Sequence, residues 1–123
     1  MNKPHIYDFA DGKQVVYICS PFRGDIAGNI EKARTHCKVA LERGYIPYAS
    51  HLAFIDILDD NTPTERETAL QAGLEMVRRC NQLWVFGDTV TEGMKREIEE
   101  ASARRIPIKF LGGQHEKAGQ EKK

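Results

Sequence analysis

The chain has 123 residues, 41% of them hydrophobic, and its 18 basic and 18 acidic side chains cancel. That is the size of one ordinary domain with one core, and zero net charge gives no general attraction to nucleic acid or to an anionic membrane. No apolar run is long enough to span a bilayer, and MNKPHIYDF lacks the basic-then-apolar layout of a secretory signal, so a cytoplasmic location is the default expectation.

Residues 1–14 read either as an edge hairpin, with HIYDF turning at Asp11-Gly12 into QVVYI, or as a loose arm. The apolar, β-branched run VVYICS at 15–20 predicts a buried strand, broken by Pro21, Gly24 and Gly28. A helix follows, with Ile30, Ala33, Cys37, Ala40 and Leu41 on one face and Gly44 as its C′ residue. YIPYA at 45–49 predicts a second strand, and Pro47 points to a sheet edge or a strand start. A connection over 52–61 carries the apolar stretch Leu52 to Leu58, which suits an interface or a lid. Then Thr62, Pro63 and Glu65 spell an N-cap, an N1 proline and a capping box. That helix runs to about Arg79, with Leu70, Leu74 and Val77 inward. QLWVF at 82–86 predicts a third strand, Gly87 to Gly93 a loop, Met94 to Arg105 a helix, and IPIKFL at 106–111 a fourth strand. The lysine-rich stretch 112–123 reads as a mobile polar tail. Cys19, Cys37 and Cys80, odd in number and without CxxC spacing, read as buried small hydrophobes. No metal-ligand cluster is visible, and neither a metal nor a cofactor is expected.

Strands alternating with helices predict an α/β fold: a three-layer sandwich with a parallel sheet of about four strands and helices on both faces. The simplest right-handed topology has strand order 2-1-3-4, a shortened flavodoxin-like or Rossmann-like sheet. In such sheets ligands bind where the order reverses, at the carboxyl ends of strands 1 and 3. That places two loops at the site, Ser20 to Asp25 and Gly87 to Gly93.

The first loop is SPFRGD. Gly24 permits close backbone approach, Arg23 offers a planar fork for phosphate or carboxylate, and Ser20 adds a hydroxyl. The alternative is a surface ion pair and a plain turn. In the second loop, Thr91 and Gly93 stand at a helix N-terminus, which suits an anion. Glu97 lies one turn further in. Met94, Ile98 and Ala101 mark the apolar face, and at ~100° per residue Glu97 falls about 60° from its centre. It is the one carboxylate of that helix aimed partly inward; the alternative is a solvated Glu favoured by the helix dipole. His51 follows strand 2 and can reach the same rim. Tyr17 and Trp84 read as core, with the Tyr17 hydroxyl near the crevice.

The succession VYICSPFRGD, a strand ending at His51, QLWVFGD and TEGMKREIEEA resembles the nucleoside 2-deoxyribosyltransferase family, including the deoxynucleoside 5′-monophosphate N-glycosidases, over roughly residues 14 to 111. The likeness implies a domain over 15–111 that cleaves or transfers the N-glycosidic bond of a (deoxy)nucleoside or its 5′-monophosphate. It implies Glu97 as nucleophile and Tyr17 as the hydroxyl that contacts it. It also implies Ser20, Arg23, Gly24, Thr91 and Gly93 as sugar or phosphate contacts, with His51 at the rim. Many members carry an Asp on the second helix that protonates the leaving base; that place falls at Gly73 here. Asp25, Asp88 or Asp60 could stand in for that acid, and no spacing selects one among them. The Asn-containing ending with which the transferases complete a neighbour's site is not recognisable here. The resemblance further implies a homo-oligomer and a small-molecule nucleoside or nucleotide partner rather than a nucleic acid polymer or membrane. A non-catalytic nucleotide-binding or sensor module of the same fold is the alternative.

Overall fold

The computed structural model describes residues 14–111. The expected N-terminal arm or hairpin and the polar tail lie outside the described residues. The elements run β1 (Val15–Cys19), α1 (Ile26–Glu42), β2 (Ile46–Tyr48), α2 (Ser50–Ala53), α3 (Pro63–Arg79), β3 (Gln82–Phe86), α4 (Glu92–Ala103) and β4 (Ile108–Leu111). The four strands form one sheet in the order β2-β1-β3-β4, every pair parallel. The α/β fold and the strand order read from the sequence are therefore found.

Burial on both sides of the sheet explains why β1 and β3 read as unbroken apolar runs. Tyr17, Cys19, Leu83 and Val85 point to one face, where α3 and α4 cover them with Val77, Met94 and Ala101. Val16, Ile18, Trp84 and Phe86 point to the other face, against Ala40 of α1 and Ala49. Pro47 sits in β2, which among the described residues pairs only with β1 and is an edge strand. An edge tolerates the missing N–H. All three cysteines are free thiols; Cys19 and Cys80 are buried and Cys37 half-buried.

Helix ends show where local chemistry decides. After α1, Tyr45 N–H bonds Ala40 C=O at 2.9 Å and Gly44 N–H bonds Leu41 C=O at 3.0 Å. This is a Schellman closure, and Gly44 supplies its left-handed residue at φ +86°. At α3 the expected capping box does not form. Thr62 occupies the N-cap and Pro63 N1, but the Thr62 hydroxyl donates to Asp59 Oδ2 at 2.9 Å. Glu65 Oε1 accepts from the Asp59 N–H at 2.6 Å, and Asp59 Oδ1 accepts from the Asn61 N–H at 2.9 Å. Asp59 thus competes for both capping partners and ties them into the preceding turn. The connection before α3 also contains α2, a single turn whose N-cap, Ala49, makes no side-chain hydrogen bond.

Candidate active site

The strand order reverses between β1 and β3, and the carboxyl ends of the sheet open there into a cleft of about 710 Å³. That volume is within the usual range for a small-molecule site. Its walls come from the Phe22–Ile26 loop, the segment 50–61, the first turns of α3 and the start of α4. Glu97 and Ser50 are among the residues that line it.

Glu97 is only 6% exposed, so it is not the solvated first-turn Glu of the alternative reading. Its helix begins at Glu92, with the Thr91 hydroxyl accepting from the Met94 N–H at 3.3 Å. That start places Met94, Glu97 and Ala101 on the buried face. The Tyr17 hydroxyl donates to Glu97 Oε2 at 2.6 Å, and Ser50 Oγ lies 2.7 Å from the same hydroxyl. Cys19, two residues along β1 on the same face, sets its thiol 3.8 Å from the Met94 carbonyl. Burial pushes the Glu97 carboxyl up to about 7, opposed by hydrogen bonds from Tyr17 and Cys19. Burial, with the nearby Glu97 charge second, holds the Tyr17 phenol well above its ordinary range, so it stays a proton donor.

Gly73 in α3 is buried against this group. A Cβ there would stand 2.9 Å from the Tyr17 Oη, 3.0 Å from Ser50 Oγ and 3.5 Å from Glu97 Oε2. The helix passes so close that only hydrogen fits. Gly73 therefore offers this group no side chain that could donate a proton.

The other expected site residues divide. Arg23, His51 and Gly93 line the cleft together with Glu97. Arg23 Nε is 3.1 Å from Asp60 Oδ2, so its fork already has an anion. His51 Nε2 is 2.7 Å from the Ser20 carbonyl and its ring stacks on Phe22 at 4.8 Å between centroids; burial lowers its basicity. Ser20, Gly24, Asp25, Asp88, Thr91 and Tyr17 are not cleft-lining. Ser20 is 2% exposed and its hydroxyl has no hydrogen-bond partner among the described residues. Gly24 is exposed and turns the chain at φ +95°. Asp25 caps α1, accepting from the Gly28 N–H at 3.1 Å. Thr91 is spent in the same way on α4. Asp88 is exposed.

The two helix N-termini expected to cradle an anion therefore hold their own side chains, and Glu92 adds an acid to the first turn of α4. Cleft-lining carboxylates outnumber cations: Asp56, Asp59, Asp60, Glu65, Glu67, Glu92 and Glu97 stand against Arg23, Arg66 and Arg96. Arg96 is itself bonded to Glu67 at 3.4 Å. Ser50 is the site residue that sequence reasoning missed. Its signal was topological: it lies two residues past the end of β2, the strand paired with β1, on the carboxyl side. The apolar stretch Leu52 to Leu58 proves to be cleft wall through Phe54, Ile55, Ile57 and Leu58. Among the described residues no group of His, Cys, Asp or Glu could hold a metal ion, and no helix is long and apolar enough to cross a membrane.

No curated protein matches this chain. Among solved structures it resembles a 2-deoxyribosyltransferase from the psychrotolerant bacterium Bacillus psychrosaccharolyticus, with a TM-score of 0.64 and 14% sequence identity, over 80% of this chain and 72% of that one. At that identity the likeness is one of fold. The fold and the matched span, residues 14–111, lead to one family: the chain belongs to DUF7768, a domain of unknown function.

Proposed function

We infer that this chain cleaves or transfers the N-glycosidic bond of a (deoxy)nucleoside, with Glu97 as nucleophile. The observation that carries the reading is a buried carboxylate among the residues lining a nucleoside-sized cleft, held by a phenol rather than neutralised by a cation. Tyr17 holds Oε2, which leaves Oε1 for attack on the anomeric carbon. The C1′–N bond breaks with its electron pair leaving on the base. The sugar carbon passes through an oxocarbenium-like state that the carboxylate charge stabilises. Water then hydrolyses the glycosyl ester, or a second base displaces Glu97 and gives transfer. The distant structural likeness to a 2-deoxyribosyltransferase supports the same chemistry.

The cleft favours a 5′-hydroxyl over a 5′-phosphate. Both helix N-termini are capped internally, Arg23 is paired with Asp60, and most charged groups on the wall are acidic. A second reading, a non-catalytic nucleoside-binding module, is favoured by one observation. Gly73, where the resemblance would set a leaving-group acid, has no side chain to donate a proton and no room for one. An incubation with nucleosides and their 5′-monophosphates, with and without a second free base, followed by chromatography, decides between them. Released or exchanged base, reduced about 10³-fold or more in Glu97→Gln, is the expected result. Thermal stabilisation by nucleosides with no base released from any of them would establish the binding module.

A further inference from the structure

We propose that Ser50 is a positioning residue for Glu97, acting through Tyr17 in a chain of three oxygens whose hydrogen-bond direction follows the charge on Glu97. The inference deepens the reading of Glu97 as nucleophile and takes its catalytic meaning from it.

The geometry is short and closed. Glu97 Oε2 to Tyr17 Oη is 2.6 Å, and Tyr17 Oη to Ser50 Oγ is 2.7 Å. Tyr17 is 1% exposed and Ser50 8%, so water does not compete along the chain. The ends differ from the middle: Ser50 and Glu97 both line the cleft, and Tyr17 does not. Gly73 closes the remaining side, where even a methyl would push on two of the oxygens. The titratable groups acting on Glu97 are the Tyr17 phenol and the Cys19 thiol of β1; Arg96 and His51 line the same cleft.

Each hydroxyl has one proton to give. With Glu97 ionised, Tyr17 donates to the carboxylate, so Ser50 must be the donor to Tyr17. That donation polarises the phenol and strengthens its bond to Glu97. The Ser50 contact acts to make the Tyr17 phenol more acidic, in keeping with that direction. When Glu97 is neutral, as acid or as glycosyl ester, it loses its hold on the Tyr17 proton. Tyr17 then turns to Ser50 Oγ, and the Ser50 proton turns to the cleft. No proton leaves the chain and no bond other than hydrogen bonds changes. The wall of the cleft gains a donor only when Glu97 is neutral, and during turnover that is the glycosyl-ester stage, at which water or a second base must be oriented.

The test is a titration of the full chain with ¹³C-carboxyl glutamate, which needs no substrate. Ser50→Ala should move the Glu97 midpoint upward by about half a unit, because the carboxylate loses part of its donor. Ser50→Thr keeps the hydroxyl and should restore the wild-type midpoint. A wild-type midpoint in Ser50→Ala would reduce Ser50 to a packed neighbour and overturn the proposal. One reading needs no variant: in labelled wild-type protein the Ser50 Cβ resonance should titrate with Glu97, and a flat Ser50 Cβ would equally overturn it. If base release is found, the acidic limb of kcat/KM should move with the NMR midpoint in Ser50→Ala. Coupling between Ser50 and Glu97 in a protein that releases no base would reject the enzyme reading and leave the chain of hydrogen bonds standing. Base release with an unmoved midpoint in Ser50→Ala would do the opposite.

Discussion

At pH 8 the folded chain carries a carboxylate, Glu97, that water would hydrate far better. Its raised value, about 7 against an ordinary 4.5, means that the native state keeps a proton that the unfolded state has released. Stability contributed by this group is therefore full below about pH 4.5 and is lost as pH rises through about 7. The loss amounts to about 3 kcal/mol. Glu97→Gln should match the wild type in melting temperature near pH 4 and exceed it increasingly toward pH 8; parallel curves would mean that Glu97 is solvated. Activity should follow the opposite course, falling as pH drops through about 7, since only the anion is a nucleophile. Gly73 carries the companion prediction. Gly73→Ala gains about 1 kcal/mol of helix propensity but overpacks the Tyr17–Ser50 contact at a cost of about 1–3 kcal/mol. The net expectation is a lower melting temperature and a displaced Glu97 titration. Helical spacing alone left Glu97 between buried and solvated. The covering group is Tyr17, 80 residues away in sequence. Long-range burial of that kind leaves little trace in the local pattern, and neither does the Ser50 contact.

The elements themselves were far more legible, because each of the three main helices and four strands has its own period and its own punctuation. The failures lie at ends. Thr62, Pro63 and Glu65 carry the letters of a capping box, yet Asp59, three residues before the N-cap, captures both side chains. Two helices close with the same Schellman pattern and different residues. Gly44 ends α1, while Arg105 ends α4 at φ +60°, where Ile106 N–H bonds Ala101 C=O at 2.9 Å. A non-glycine residue in that conformation costs about 1–2 kcal/mol, partly offset by the greater freedom of glycine in the unfolded chain. Arg105→Gly should therefore raise stability by about 0.5–1 kcal/mol, measured by urea unfolding at unchanged m. Gly44→Ala should lower it by a similar amount. No change in either would mean that these turns relax without strain.

For the whole molecule, the decisive property is how charge is distributed rather than its sum. The chain is neutral, but the cleft gathers carboxylates on the walls contributed by the 56–60 segment and the starts of α3 and α4. An anionic ligand meets repulsion that a neutral nucleoside does not. A nucleoside at 100 times its Kd should raise the melting temperature by on the order of 10 °C. Its 5′-monophosphate should bind about tenfold more weakly at low salt, with the gap narrowing as salt screens the wall. Tighter binding of the monophosphate would show that Arg23 leaves Asp60 to meet it. The expected homo-oligomer is tested by gel filtration at micromolar protein. A single chain already brings Glu97, Tyr17 and Ser50 into contact, so a monomer would keep the carboxylate group intact. The chain's single tryptophan, Trp84, is fully buried on the opposite face of the sheet, with Lys109 and Arg43 at 5.2 and 5.7 Å from its ring centroid. Its emission should be blue-shifted in the native state and move to the red on unfolding. Because the sheet separates it from the α3–α4 side, it should stay dark to events in the cleft. Intrinsic fluorescence will then report folding cleanly and occupancy hardly at all, so a silent fluorescence titration carries no information about whether a nucleoside has bound.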